Sequence, residues 1–182
     1  LQISDSGDTT TIPSGATLAI ASGATVTNSG TASGFGLFSS YAIIADQKAQ
    51  NTNGGTFTSG AWRERDLQTE LADPDSIVSI ATNQFTLGAG TYLIKWICPT
   101  ASSMSNQSRL YNVTDAAEVG LGVSAYAQTG AISPGSARVT IAGSTAFAIE
   151  HQCDTTSTNV GFGDRANFGV EQYCTVEIFK EA

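Results

Sequence analysis

Gln84-Phe85-Thr86-Leu87-Gly88-Ala89-Gly90-Thr91-Tyr92-Leu93-Ile94-Lys95-Trp96-Ile97-Cys98 reads as two strands joined by a glycine turn. Tyr92, Ile94, Trp96 and Cys98 recur at spacing two, the period of a strand, and share one face. Leu93 and Ile97 make the other face apolar as well, around Lys95. A strand that is apolar on both sides is either central in its sheet or covered by a partner subunit.

The same period recurs on either side of this stretch. Phe147, Ile149 and Cys153 align with His151, while Glu150 and Gln152 fall opposite; Cys174, Val176 and Ile178 oppose Tyr173, Thr175, Glu177 and Phe179. Further strand-like runs cover residues 37–45, 61–71, 77–80, 109–113, 120–126 and 137–141. Asn53-Gly54-Gly55, Asp73-Pro74-Asp75, Ser133-Pro134-Gly135 and Ala142-Gly143-Ser144 separate them as turns. About ten short strands between such turns predict an all-β sandwich or barrel. Residues 64–71, with Leu67 and Leu71 four apart, also admit a short helix, which Asp73-Pro74 would close at once.

Ahead of these runs lies an eight-residue repeat: Ile12-Pro13-Ser14-Gly15-Ala16-Thr17-Leu18-Ala19, then Ile20-Ala21-Ser22-Gly23-Ala24-Thr25-Val26-Thr27. Each unit supplies two apolar positions and a Gly turn, too little to bury a face of its own. Two copies also fall short of a self-supporting solenoid, so Ile12, Leu18, Ile20 and Val26 are expected to pack against other copies of the chain. A polar linker would not hold Ile, Leu and Val in phase. The apolar positions thin out after Thr27, and a boundary is expected between a repetitive stem or linker, residues 1–34, and a head, residues 35–182.

Composition bounds the function. The 182 residues are 41% apolar and only 13% charged, and 19 glycines accompany four prolines, which suits short strands and turns better than helices. A net charge of −8 without a basic cluster argues against nucleic acid as a ligand. No run reaches the roughly 18 apolar residues that cross a bilayer, so no membrane insertion is expected. The chain opens on Leu1 rather than Met, and an upstream region that anchors it to other proteins is expected. Cys98, Cys153 and Cys174 are few and widely spaced, which predicts buried thiols rather than a disulfide framework, with a single disulfide as the alternative.

Catalytic patterns are scarce. His151 is the sole histidine, and neither a CxxC pair nor tight ligand spacing accompanies it, so a packed, satisfied His is expected in preference to zinc. Asp73, Asp75 and Asp115 fall in turns, where short carboxylates cap backbone N–H groups, and the spacing of a calcium loop is lacking. Glu64 with Asp66, or Asp164 with Glu171, are the carboxylate pairs that could be imagined as acid and base, but no spacing sets either across a cleft. Nucleophile elbow, phosphate loop and dinucleotide fingerprint are missing. The expectation is a protein with no catalytic residues, no metal and no cofactor.

One loop invites a binding role. Residues 159–169 mix permissive Gly with Phe162, Asp164, Arg165, Asn167 and Phe168, the aromatic and planar polar groups that a saccharide site needs. The stretch Ser105-Asn106-Gln107, taken as another head loop, is a second, weaker contact region.

Four stretches carry a resemblance: residues 55–67 (Gly-Thr-Phe-Thr-Ser-Gly-Ala-Trp-Arg-Glu-Arg-Asp-Leu), Phe85 through Ile94, Arg109-Leu110-Tyr111-Asn112, and Ala166-Asn167-Phe168-Gly169-Val170-Glu171. In this order they resemble the C-terminal head domain of tail-fibre-like structural proteins of tailed bacteriophages, and the octads resemble fibre stem sequence. The Phe85–Ile94 stretch is also similar to the strand after a Gly-Xaa-Tyr turn in C1q- and TNF-like jelly rolls. Thr175-Val176-Glu177-Ile178-Phe179 departs from the Gly-rich closing strand of the complement type, which sets aside a complement-like partner or calcium site.

The resemblance implies an antiparallel jelly-roll sandwich of ten strands in two sheets and a threefold assembly. It further implies a virion fibre or spike head that binds a host-surface receptor, with a host glycan as one such ligand. A capsid decoration or head fibre without receptor binding is the alternative. A polysaccharide-cleaving fibre enzyme comes third.

Overall fold

The computed structural model describes residues 11–25 and 37–182, and the chain divides into two units, Leu1–Phe35 and Gly36–Ala182. In the first unit the octad has a physical form. The Ala16 N–H donates to the Pro13 carbonyl and, eight residues on, the Ala24 N–H donates to the Ala21 carbonyl, both at 3.0 Å. Gly15 and Gly23 hold φ of 82° and 84° at the third position of these turns, where a type II turn calls for Gly. Ile12, Leu18 and Ile20 are exposed, whereas Val26 lies outside the described residues.

The second unit is built from twelve strands: β1 (Phe38–Lys48), β2 (Arg63–Glu64), β3 (Thr69–Ala72), β4 (Val78–Ala81), β5 (Gln84–Leu87) and β6 (Gly90–Ala101), then β7 (Met104–Asn112), β8 (Ala117–Leu121), β9 (Ala125–Ala127), β10 (Gly130–Ile141), β11 (Thr145–Cys153) and β12 (Glu171–Glu181). One sheet has the order β10-β6-β12-β1-β3 and the other β4-β5-β11-β7-β8, with β2 paired to β11 and β9 to β7; all pairings are antiparallel. The period-two faces read from the sequence are the inner faces. Ile44, Tyr92, Ile94, Trp96, Val176 and Ile178 of the first sheet meet Phe85, Leu110, Phe147 and Ile149 of the second. Each such side chain gains about 1.5–3 kcal/mol from burial. Cys98, Cys153 and Cys174 are free and buried, with the Cys98 and Cys174 sulfurs 3.5 Å apart across β6 and β12.

Two expectations need correction. Ser133-Pro134-Gly135, read as a turn, lies inside β10, where Pro134 pairs with Ile97 and Gly135 with Trp96. β10 ends its sheet, and an edge strand tolerates a residue that cannot donate to the ladder. Gly135 is there for space, because a Cβ would overlap the Trp96 ring.

The run 61–71 is neither one strand nor a helix. β2 joins the second sheet and β3 the first, and the chain crosses between sheets at 65–68 with Arg65 and Leu67 buried. The inward phase slips on both sides of the crossing, leaving Arg63 and Leu71 exposed although they are in phase with Arg65 and Leu67, a break that the sequence alone did not mark.

Candidate functional site

At that crossing the backbone is pinned: Arg65 N–H donates to the Ile149 carbonyl at 2.8 Å and Gln68 N–H to the Ala45 carbonyl at 3.3 Å, one from each sheet. The Arg65 side chain therefore points into the sandwich, fully buried. Its guanidinium donates to the carbonyls of Pro99 at 3.0 Å and Phe162 at 2.9 Å and lies 4.3 Å from the centre of the Phe162 ring. It also reaches His151 Nδ1 at 3.4 Å, and His151 Nε2 meets Asn106 Oδ1 at 3.0 Å. The neutral tautomer with its proton on Nε2 satisfies both contacts, since Arg65 can only donate.

Burial, reinforced by the Arg65 charge, holds His151 at a pKa of about 2 against an ordinary 6.5. The folded state thus refuses a proton that the unfolded chain accepts below pH 6.5. Stability from this group is whole above 6.5 and is lost as pH falls toward 2, at about 1.4 kcal/mol per pH unit. Urea unfolding at pH 7 and pH 4 is expected to give wild type an acid loss roughly 3 kcal/mol larger than that of His151→Gln. Equal losses would mean that His151 is protonated in the fold.

The loop 159–169 lies beside residues 53–57. Phe162 N–H donates to the Gly55 carbonyl at 3.2 Å, Gly54 N–H to the Gly163 carbonyl at 2.9 Å, and Arg165 Nη1 to Asn53 Oδ1 at 3.1 Å. Glu171 closes the turn by accepting from the backbone N–H groups of Ala166 and Asn167, both at 2.8 Å, and of Asn51 at 3.1 Å. Burial acts against its charge, but these three donors and Arg165 outweigh it and hold the carboxyl below its ordinary range.

The five candidate residues part company here. Phe162 is buried, stacked 4.7 Å from Phe57 beneath Arg65, and offers no open face. Asp164, Arg165, Asn167 and Phe168 are exposed, Phe168 at 96%. Asp164 joins Val170, Glu171, Tyr173 and Ile132 around an open cleft of about 770 Å³. Ser105-Asn106-Gln107 is not a loop but part of β7, and Asn106 is buried against His151.

Each carboxylate of the two imagined acid–base pairs already has a partner. Glu64 accepts from Gln84 at 2.9 Å, Asp66 holds Lys48 at 3.0 Å, Glu171 is taken up by backbone donors, and Asp164 accepts from the Arg165 N–H at 3.0 Å. Asp73 caps its own turn through the N–H groups of Ile77 and Val78, both at 2.9 Å. No group of three or more His, Cys, Asp or Glu side chains placed to hold a metal occurs among the described residues.

The reading from sequence missed Arg65. Its parity with Leu67 was visible in Arg65-Asp66-Leu67, but a charged residue in an apolar phase is ordinarily solvated.

No protein-family model and no curated protein matches the chain. Solved structures do. Murine APRIL at pH 8.0 is 7% identical over 78% of this chain and 98% of its own, with a TM-score of 0.50. The globular domain of zebrafish complement 1qA is 13% identical over 77% and 95%, with a TM-score of 0.49. PRD1 vertex protein P5 is 12% identical over 81% and 100%, also with 0.49. The fold is an all-β antiparallel sandwich of the C1q/TNF jelly-roll kind.

Proposed function

We propose that this chain is a non-enzymatic virion structural protein: the head of a phage fibre or spike on a short repetitive stem, displayed outward and joined to other virion proteins through its N-terminal side. The observation that carries this reading is an outer sheet face with exposed apolar side chains around the Lys95–Glu177 ion pair, on a jelly-roll head that follows a repeat unable to bury itself. Leu93 stands in register with Phe179, and Phe179 with Tyr41; Ile97 pairs with Pro134 in the next row but one. Tyr41, Ile97 and Ile132 are exposed at 44%, 49% and 57%. β6 is central in its sheet, yet its outer face has no cover among the described residues.

A second and third copy supply that cover, and the same association lets Ile12, Leu18, Ile20 and Val26 pack along a common axis. The number three comes from the resemblance to fibre heads and C1q/TNF-like domains. Contact with the host surface is assigned to the exposed part of loop 159–169, with Phe168 and Asn167 foremost, Asp164 and Arg165 beside them, and Phe162 as internal support. Its ligand there is a host-surface receptor, a glycan in the simplest case.

Antibody against the head, imaged on intact particles, is expected to mark tails or vertices, and unlabelled particles would overturn the reading. In sedimentation equilibrium over a hundredfold concentration range the wild type is expected at three chain masses. Ile97→Asp and Ile132→Asp are expected to shift it toward one, because a carboxylate cannot be buried unpaired at a contact. A wild-type mass of one chain throughout would refute the trimer.

A further inference from the structure

The outer face of the other sheet carries a second feature, distinct from loop 159–169. Trp62 precedes β2, Tyr126 sits in β9, and between them run β7 and β11. Register sets Ser105 opposite Tyr126 and Gln107 opposite Gln152. These side chains, with Asp154 and Ser124, line an open cleft of about 580 Å³, within the range of small-ligand sites.

Several features fit this cleft to a ligand. One aromatic wall is preset: Arg109 lies 4.2 Å from the centre of the Trp62 ring, and Glu150 holds Arg109 at 2.6 Å. Tyr126, by contrast, is 64% exposed and open to stacking. Gln107 Nε2 is tied to the Gly122 carbonyl at 2.9 Å. The Gln152 amide, the Asp154 carboxylate and the Ser105 hydroxyl make no side-chain hydrogen bond to other described residues. Aromatic rings flanking unspent amide, carboxylate and hydroxyl groups match the apolar faces and the hydroxyls of a sugar.

Charge and size narrow the ligand. The lining holds one acidic side chain, Asp154, and no cation, so it offers nothing to a sugar acid or a phosphate. From β9 through β7 and β11 to β2 is three strand spacings, roughly 14 Å, longer than a single pyranose. We infer that this cleft binds a neutral oligosaccharide, with Trp62 and Tyr126 as stacking platforms and Gln152, Asp154 and Ser105 as hydroxyl partners. This site is separate from the loop contact and does not depend on the virion reading.

The test uses the full chain with a panel of neutral di-, tri- and tetrasaccharides of glucose, galactose, mannose and N-acetylglucosamine, read by saturation-transfer NMR and calorimetry. Trp96 is buried, so a change in tryptophan fluorescence on binding reports Trp62. At least one sugar is expected to bind the wild type and perturb that signal. Tyr126→Ala and Gln152→Ala are expected to weaken it about tenfold or more, while Gly143→Ala, in a turn outside both sites, leaves it unchanged. Tyr126 is exposed, so its loss does not threaten the fold. No binding by any panel member overturns the inference, as does binding unaltered in both variants. Binding lost only in Phe168→Ala would likewise overturn it and favour the loop.

Discussion

Arg65→Ala is expected to remove about 3–5 kcal/mol of folding stability, from a total that for domains of this kind is about 5–15 kcal/mol. Arg65 is fully buried and its guanidinium is the donor for the Pro99 and Phe162 carbonyls. Truncation strands both acceptors, at about 1–3 kcal/mol each, and opens a void beside Phe162 and His151.

Arg65→Met separates the two causes. It restores most of the volume and none of the hydrogen bonds, so it should recover only the void's share. Guanidinium chloride unfolding of the three proteins at pH 7 measures this, and a loss below about 1 kcal/mol for Arg65→Ala would show that water replaces the guanidinium at no cost. The arginine's own desolvation is already imperfect, since its Nε has no partner among the described residues. The prediction therefore concerns the groups Arg65 serves, not the worth of a buried charge.

Gly135→Val is expected to be at least as damaging, at about 3 kcal/mol or more, for a steric reason. The Cβ would overlap Trp96, its register partner across β10 and β6. The ring cannot retreat easily, because Trp96 is 1% exposed and its Nε1 donates to Ser108 Oγ at 2.7 Å. Ser108 Oγ in turn donates to the Ser133 carbonyl at 3.0 Å, on the same edge strand as Gly135. Displacing the indole thus disturbs a chain of buried hydrogen bonds as well as the packing.

Gly143→Ala is the control. A Cβ added there would meet nothing within 4 Å, and the variant's stability is expected within about 0.5 kcal/mol of wild type. Shrinking the ring with Trp96→Leu in the Gly135→Val background should recover part of the loss, a coupling that a double-mutant cycle reads directly. Strictly additive effects would show that the glycine serves something other than the indole.

The sequence by itself determined the strand class and the inward faces. Burial alternates with period two along a pleated backbone, and Tyr92, Ile94, Trp96, Phe147, Ile149, Val176 and Ile178 keep that period without a break. The stem turns were equally legible, because Ser-Gly at a fixed eight-residue interval is a local instruction that needs no distant partner. Local signals failed where the decision was made across space. Ser133-Pro134-Gly135 has turn composition, and only an edge position beside Trp96 makes it a strand.

Arg65 has the composition of a solvated charge; two carbonyls from β6 and loop 159–169 draw it inside. Phe162 has the composition of an open platform, and the same arginine with Phe57 turns it inward. Trp62 and Tyr126 are 64 residues apart in sequence and meet on one sheet face only because β9, β7, β11 and β2 lie side by side. Propensity and period are properties of neighbours along the chain, so they set each strand's faces. Which faces meet, which stay bare and which polar groups converge depend on strand order, and strand order is fixed by the packing of the whole sandwich.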